Sequence, residues 1–263
     1  MLLLKWKLER LGNRMNTVYS NRSLLIEELI EWLSSHLRLS GKSGYVLGVS
    51  GGVDSFVSAM VSYETCRRLN KRIRLLSLPI VEPSTLNEEG NVETVFKERG
   101  IDVSCIDLSN LYQEFKKICF SDLPATSWPT IKHRLRMTYI YTIAKRENLL
   151  VVGTVNGVEF NIGYFAKWSG LGDVLPLANL TKHQIREIAR ELGCPEQIIE
   201  QRASGCVSGG YAEEEWGFTE DEADRLISNK KNTIRREAIV TFDEMVKESK
   251  HKRIFAPIFN PRL

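Results

Sequence analysis

Residues 50–55 read Ser-Gly-Gly-Val-Asp-Ser, directly after the apolar run YVLGV and before a segment with helical spacing to about Arg68. Two glycines in a strand-to-helix turn let backbone N–H groups approach an anion with no Cβ in the way. The helix that follows adds unpaired N–H donors and the positive end of its dipole. Ser50 and Ser55 add hydroxyl donors for phosphate oxygens. Asp54 is out of place beside a phosphate unless a cation lies between them, so the hexapeptide implies Mg2+ as well. The plain alternative is a βα turn with a serine cap, but the full hexapeptide in this context favours phosphate binding. The chain contains neither GxxxxGK[ST] nor GxGxxG, so this is not one of the commoner phosphate loops.

Further along, LLVVGT (149–154) reads as a strand ending in Gly153-Thr154, where a hydroxyl is offered to an adenosine or phosphate or merely ends the strand. Glu159 follows five residues on, in a segment with helical character. It is either a second carboxylate for the Asp54 cation or a solvated surface residue. Lys182 opens a helix, a poor place for a cation because the dipole there favours negative charge. A bound triphosphate would reverse that sign. The five cysteines (66, 105, 119, 194 and 206) form no CxxC pair, which predicts reduced, buried thiols and no disulfide framework or structural zinc site.

The elements that must position these groups alternate. A first amphipathic helix covers 22–38, with Leu25, Leu29, Leu33 and Leu37 among its apolar residues. Strands are predicted at 45–49, 73–80, 102–108 and 149–154. Helices are predicted after the hexapeptide to about 68, at 87–99 ending at Gly100, at 111–120 and at 127–148. Such alternation argues for α/β architecture, a doubly wound parallel sheet with helices on both faces, in a single domain. Open sheets of this kind bind ligands at the carboxyl ends of their strands. The second half is less regular. Residues 156–166 read as helical, 167–177 as a Gly-rich loop, 181–192 as a helix capped by Thr181, and 203–217 as a mobile loop.

Composition restricts the function classes. The chain of 263 residues is 43% hydrophobic and 26% charged, which excludes a disordered or collagen-like polymer. Nothing approaches the ~20 apolar residues of a membrane span. MLLLKWKLERLGN lacks a signal-peptide core, so a cytoplasmic location is expected. The 36 Lys and Arg against 33 Asp and Glu are scattered rather than gathered in a stripe, so no nucleic-acid partner is expected.

The hexapeptide resembles the PP-loop of the ATP pyrophosphatases, which split ATP between its α and β phosphates and adenylate a substrate. Four later stretches narrow the resemblance: His133-Arg134-Leu135-Arg136-Met137, LLVVGT-x-N-x-x-E, GYFAKW, and LPLANLTKHQIREIARELGCPEQII. In that order they are similar to the ammonia-dependent NAD synthetases, over roughly residues 22–259. Residues 1–21 then stand as an N-terminal extension to a domain of the adenine nucleotide α-hydrolase type over 22–263.

The resemblance implies ATP as co-substrate, held by Gly48, Ser50, Gly51, Gly52, Asp54, Ser55, Thr154, Lys182 and Ser204. It implies Mg2+ on Asp54 and Glu159, and catalysis by Asp54, Lys182 and Glu159. For the second substrate, deamido-NAD, it implies Arg134, Arg136, Tyr164, Phe165, Lys167, Trp168 and Asp173. Of the two arginines one is open to the plain role of a surface salt bridge, and for Tyr164 and Phe165 a core role competes. His251 and Lys252, which by composition alone belong to a solvated basic tail, would touch the substrate of a neighbouring subunit in a homodimer. The implied reaction adenylates the nicotinate carboxylate, releases pyrophosphate, and lets ammonia displace AMP. The sequence departs from the family after GYFAKW. The usual loop reads Lys-Tyr-Gly-Asp-Gly-Gly-Ala-Asp, whereas Lys167 to Asp173 is one residue shorter and lacks the first aspartate. Residues 203–210 also lack the usual pattern. Two further readings therefore stand beside the first: amidation of a different carboxylate, and nucleotide binding without turnover.

Overall fold

The structure, a computed structural model, describes residues 22–81, 92–119, 122–169, 171–203, 205, 211–230 and 234–254. Four parallel strands form its sheet: β1 (Gly44–Gly48), β2 (Arg72–Ser77), β3 (Val103–Cys105) and β4 (Leu150–Val151), in the order β3-β2-β1-β4. In β1 the side chains alternate in direction but all are apolar, and Tyr45, Val46 and Leu47 are fully buried. That is the signature of a strand covered on both faces. Tyr45 lies opposite Ile73 on one side and Leu150 on the other, which fixes the register across the sheet centre.

Each face carries its own core. Tyr45 and Leu47 pack with α1 (Arg22–Ser40), α2 (Val53–Leu69), α3 (Val92–Glu98), α7 (Lys182–Glu191) and α8 (Glu196–Ile199). Val46, Leu76 and Val151 pack on the opposite face with α4 (Ser109–Ile118) and α5 (Ser127–Glu147). The doubly wound architecture is thus as the alternation predicts. A third cluster forms away from the sheet, where α6 (Gly157–Ile162) meets α9 (Ala212–Trp216), α10 (Glu220–Ile227) and α11 (Arg236–Glu248) around Trp216, Phe218 and Phe242. No helix among the described residues is long and apolar enough to cross a membrane.

Several expectations need correction. The fourth strand stops at Val151, and Val152 makes only a single parallel bridge, to Val174. The helix expected over 156–166 ends at Ile162, because Gly163 takes φ +68° and closes it in the left-handed conformation. Residues 212–216 are helical rather than loop, since burial of Ala212 and Trp216 in the third cluster fixes them. Cys66 and Cys194 are buried free thiols as expected, but Cys105 is exposed on the short outer strand. Cys206 lies outside the described residues, as do residues 87–91 of the helix expected at 87–99.

Candidate active site

The chain runs outward from β1 to β2 and β3, then returns to place β4 on the other side of β1. The carboxyl ends of β1 and β4 therefore flank the switch point at which doubly wound sheets bind ligands. From β1 comes the Ser-Gly-Gly turn. Gly51 has φ +93°, a conformation that disfavours a side chain. Gly52 is the N-cap of α2 and provides no capping side chain, so the first-turn amides of this 17-residue helix have no side-chain acceptor at the cap. Ser55 is buried and ties the turn together: its hydroxyl donates to Gly52 O at 2.8 Å and accepts from Ser50 N at 3.2 Å. Ser50 itself is exposed, with its hydroxyl 3.4 Å from that of Ser55. Gly48 ends the strand where a Cβ would press on Ile140 Cδ1 at 3.3 Å.

Asp54, the second residue of α2, meets Lys182 from the first turn of α7. The ammonium donates to Asp54 Oδ2 at 2.6 Å, and the lysine side chain is only 6% exposed. Burial works against the Lys182 charge, but Asp54, Glu159 and Glu220 outweigh it and raise its pKa. Asn156 reaches the same Asp54 oxygen at 3.4 Å through its Nδ2. The second oxygen, Oδ1, is buried and has no hydrogen-bond partner.

Glu159 arrives from the β4 side. Asn156 and Glu159 form a capping box at the start of α6: Glu159 N donates to Asn156 Oδ1 at 3.0 Å, and Asn156 N donates to Glu159 Oε2 at 3.1 Å. Burial, with the Asp54 charge second, pushes the Glu159 carboxyl up to about 7. Ser50, Ser55, Asp54, Asn156, Glu159 and Lys182 thus gather at one place. Thr154 is half-buried in the link between β4 and α6. Ser204 lies outside the described residues.

Two members of this site, Asn156 and Asp224, were given no role by the sequence alone. Asn156 carried a usable signal, since Asn-x-x-Glu ahead of an apolar residue is a capping-box spacing. Asp224 falls in the stretch over 205–224 whose gapped match to the family keeps it, but that match gave it no role. It lies 42 residues from Lys182, yet its Oδ1 accepts from Lys182 N and its Oδ2 from His183 N, both at 2.8 Å.

The residues implied for the second substrate spread over more ground. Arg134 and Trp168 line one cleft of about 380 Å³ together with Met137, Thr138, Tyr141 and Ser169. Trp168 sits at φ +68° and is 64% exposed, and Lys167 Nζ lies 5.2 Å from its ring centroid. Arg136 turns the other way and donates to Leu78 O at 2.9 Å. Tyr164 donates to Glu215 and packs edge-on against Trp216, while Phe165 stacks on Phe160. Asp173 is bound to the sheet edge, where its Oδ2 accepts from Val151 N at 2.8 Å and its Oδ1 from Tyr141 at 3.4 Å. Lys252 donates to Gly163 O at 2.8 Å and Phe165 O at 3.0 Å within its own chain, and His251 is exposed.

The NAD synthase family profile matches residues 25–256. An NH(3)-dependent NAD(+) synthetase of Finegoldia magna is 34% identical over 242 residues, which cover 91% of this chain and 97% of that protein. Among solved structures, an NMN synthetase from Francisella tularensis superposes with a TM-score of 0.82 at 28% identity, covering 91% of this chain and 99% of its own. An NH3-dependent NAD synthetase from Campylobacter jejuni shares the fold, at a TM-score of 0.74 and 20% identity over 91% of this chain and 99% of its own. Profile, relatives and fold agree over nearly the whole described sequence, and the chain belongs to the NAD synthase family.

Proposed function

We propose that this protein is an ATP-dependent amide-forming ligase that adenylates the nicotinate carboxylate of deamido-NAD and transfers ammonia to it, giving NAD, AMP and pyrophosphate. One observation carries the reading: Asp54, Asn156, Glu159 and Lys182 converge beside the uncapped start of α2, at the switch point of the sheet. In-line displacement at the α-phosphorus needs positioning and charge neutralisation rather than a nucleophilic side chain. The turn amides, Ser50 and Ser55 bind phosphate oxygens. Lys182, which pairs with Asp54, would donate to the triphosphate oxygens when ATP is bound. The residues fit a Mg2+ ion: Asp54 Oδ1 is buried without a partner, and Glu159 is a carboxylate destabilised by burial and by Asp54. Asp54 and Glu159 would hold the ion, which supplies positive charge to the triphosphate oxygens. In this reading the protein acts in the cytosol as a homodimer.

A second acyl substrate has a specific observation in its favour. The relative with a TM-score of 0.82 is an NMN synthetase, and the loop over 167–173 that forms the Trp168 side of the cleft is shortened. The same chemistry applied to nicotinate mononucleotide would give the mononucleotide amide. The experiment is a competition: enzyme, MgATP, ammonium and equal deamido-NAD and nicotinate mononucleotide, with both amides and AMP followed by mass spectrometry. NAD in step with AMP supports the first reading. Mononucleotide amide in its place supports the second, and AMP without either amide rejects both.

A further inference from the structure

The crossing of α7 and α10 holds an arrangement that the adenylation chemistry leaves unexplained. Asp224, on the second turn of α10, aims both carboxylate oxygens at the first turn of α7 and accepts from Lys182 N and His183 N at 2.8 Å each. Thr181 accepts from the next amide, Gln184 N, at 3.1 Å. All three leading amides of α7 are therefore satisfied by side chains. A helix start with open amides attracts phosphate. This one is closed by a carboxylate, while the start of α2 across the site has no capping side chain. The Lys182 side chain leaves from the clamped turn and reaches Asp54.

We infer that Asp224 is a positioning residue. It fixes the backbone from which Lys182 projects, and it denies the α7 helix start to the triphosphate, so that phosphate goes to the α2 turn with the lysine above it. The inference rests on Lys182 serving the ATP phosphates. Asp224 itself touches no reacting atom. A second tie joins the same two helices, Arg186 to Glu220 at 2.5 Å, and it involves no amide of the Lys182 turn. That tie provides the control.

The test measures ATP affinity by calorimetry, pyrophosphate release at varied ATP and varied acyl substrate, and the thermal midpoint. Asp224→Ala is expected to lower kcat/KM for ATP by about 10- to 100-fold, the scale of a misplaced catalytic group. The KM for the acyl substrate should hold. Asp224→Asn, which keeps one acceptor oxygen, should fall between and serves if the alanine variant does not fold. Arg186→Ala should lower the thermal midpoint and leave kcat/KM for ATP near wild type. Equal ATP losses in Asp224→Asn and Arg186→Ala, in proportion to lost stability, would make Asp224 a mere strut and overturn the inference. Lys182→Ala separates the underlying reading. If it keeps wild-type kcat/KM for ATP, the phosphate role of Lys182 falls and the inference with it. If it is disabled while both Asp224 variants behave as wild type, the inference alone falls.

Discussion

Asp54 and Lys182 are buried as a pair, and removing one partner is not the same experiment as removing both. Asp54→Asn strands a lysine whose side chain is 6% exposed, and an orphaned buried charge costs about 3–5 kcal/mol. Glu159 stays nearby and brings the cost to the lower end of that range. The variant should lose pyrophosphate release altogether and show a clear drop in thermal midpoint. Adding Lys182→Met removes the stranded charge, so the double variant should regain most of the midpoint and none of the activity. A double variant as unstable as Asp54→Asn would argue against charge burial as the cause. Glu159 gives a pH signature. Its carboxyl stands at about 7 in the folded chain against an ordinary 4.5. Between those values the folded state holds a proton that the unfolded state has released, so stability falls as pH rises through that window. Glu159→Gln removes the slope. Without nucleotide or metal, its thermal midpoint should gain on wild type from pH 5 to about pH 7 and level off above it, and parallel curves would show that Glu159 is not destabilised.

The strap that follows GYFAKW is held by two glycines. A Cβ on Gly172 would lie 2.4 Å from Gly153 N and 2.6 Å from Val151 O, and one on Gly153 would lie 2.7 Å from Gly172 N. This contact lets Asp173 dock on β4 and carries Trp168 and Ser169 to the wall of the Arg134 cleft. Gly172→Ala meets backbone on both sides, an overpacking cost of about 1–3 kcal/mol. At this chain length that lowers the thermal midpoint by about 2–4 °C per kcal/mol. The KM for the acyl substrate should rise while ATP affinity measured by calorimetry stays unchanged; a matching loss of ATP affinity would show that strap and phosphate site are one unit. Such contacts explain what could be read from the sequence. The Ser50–Ser55 turn was legible because strand, turn and helix are contiguous, and Thr181 because its cap is three residues long. Asp173 was not, since a substrate carboxylate and a sheet-edge acceptor look alike until the strap has a place. Asp224 could be matched to the family by position, but its role could not be read, because its partners lie in another helix.

Across the whole molecule, the two cores on the sheet set β1 beside β4, and the third cluster hangs its helices on α6, the element that carries Glu159. The alternation of strands and helices predicted the first part. The second part depends on aromatic packing among Trp216, Phe218 and Phe242, which has no local pattern. The end of the described chain belongs to that cluster. Lys252 caps the carboxyl end of α6 at Gly163 O and Phe165 O, and Arg253 donates to Phe160 O at 3.3 Å and Val246 O at 2.5 Å. Cations at a helix carboxyl end are favourable and satisfy its last carbonyls. Both side chains are engaged within their own chain, whereas the family resemblance implies that this segment serves a neighbouring subunit. Subunit mixing distinguishes the two. Asp54→Asn supplies an intact C-terminal segment with a dead phosphate site, and a truncation before His251 supplies the reverse. If the segment worked across a dimer interface, mixed subunits would contain one complete site and recover activity. The contacts of Lys252 and Arg253 predict no recovery on mixing, together with a raised KM for the acyl substrate in the truncated protein alone. Recovery towards half the wild-type rate per mixed dimer would mean that these contacts are exchanged for intersubunit ones on assembly.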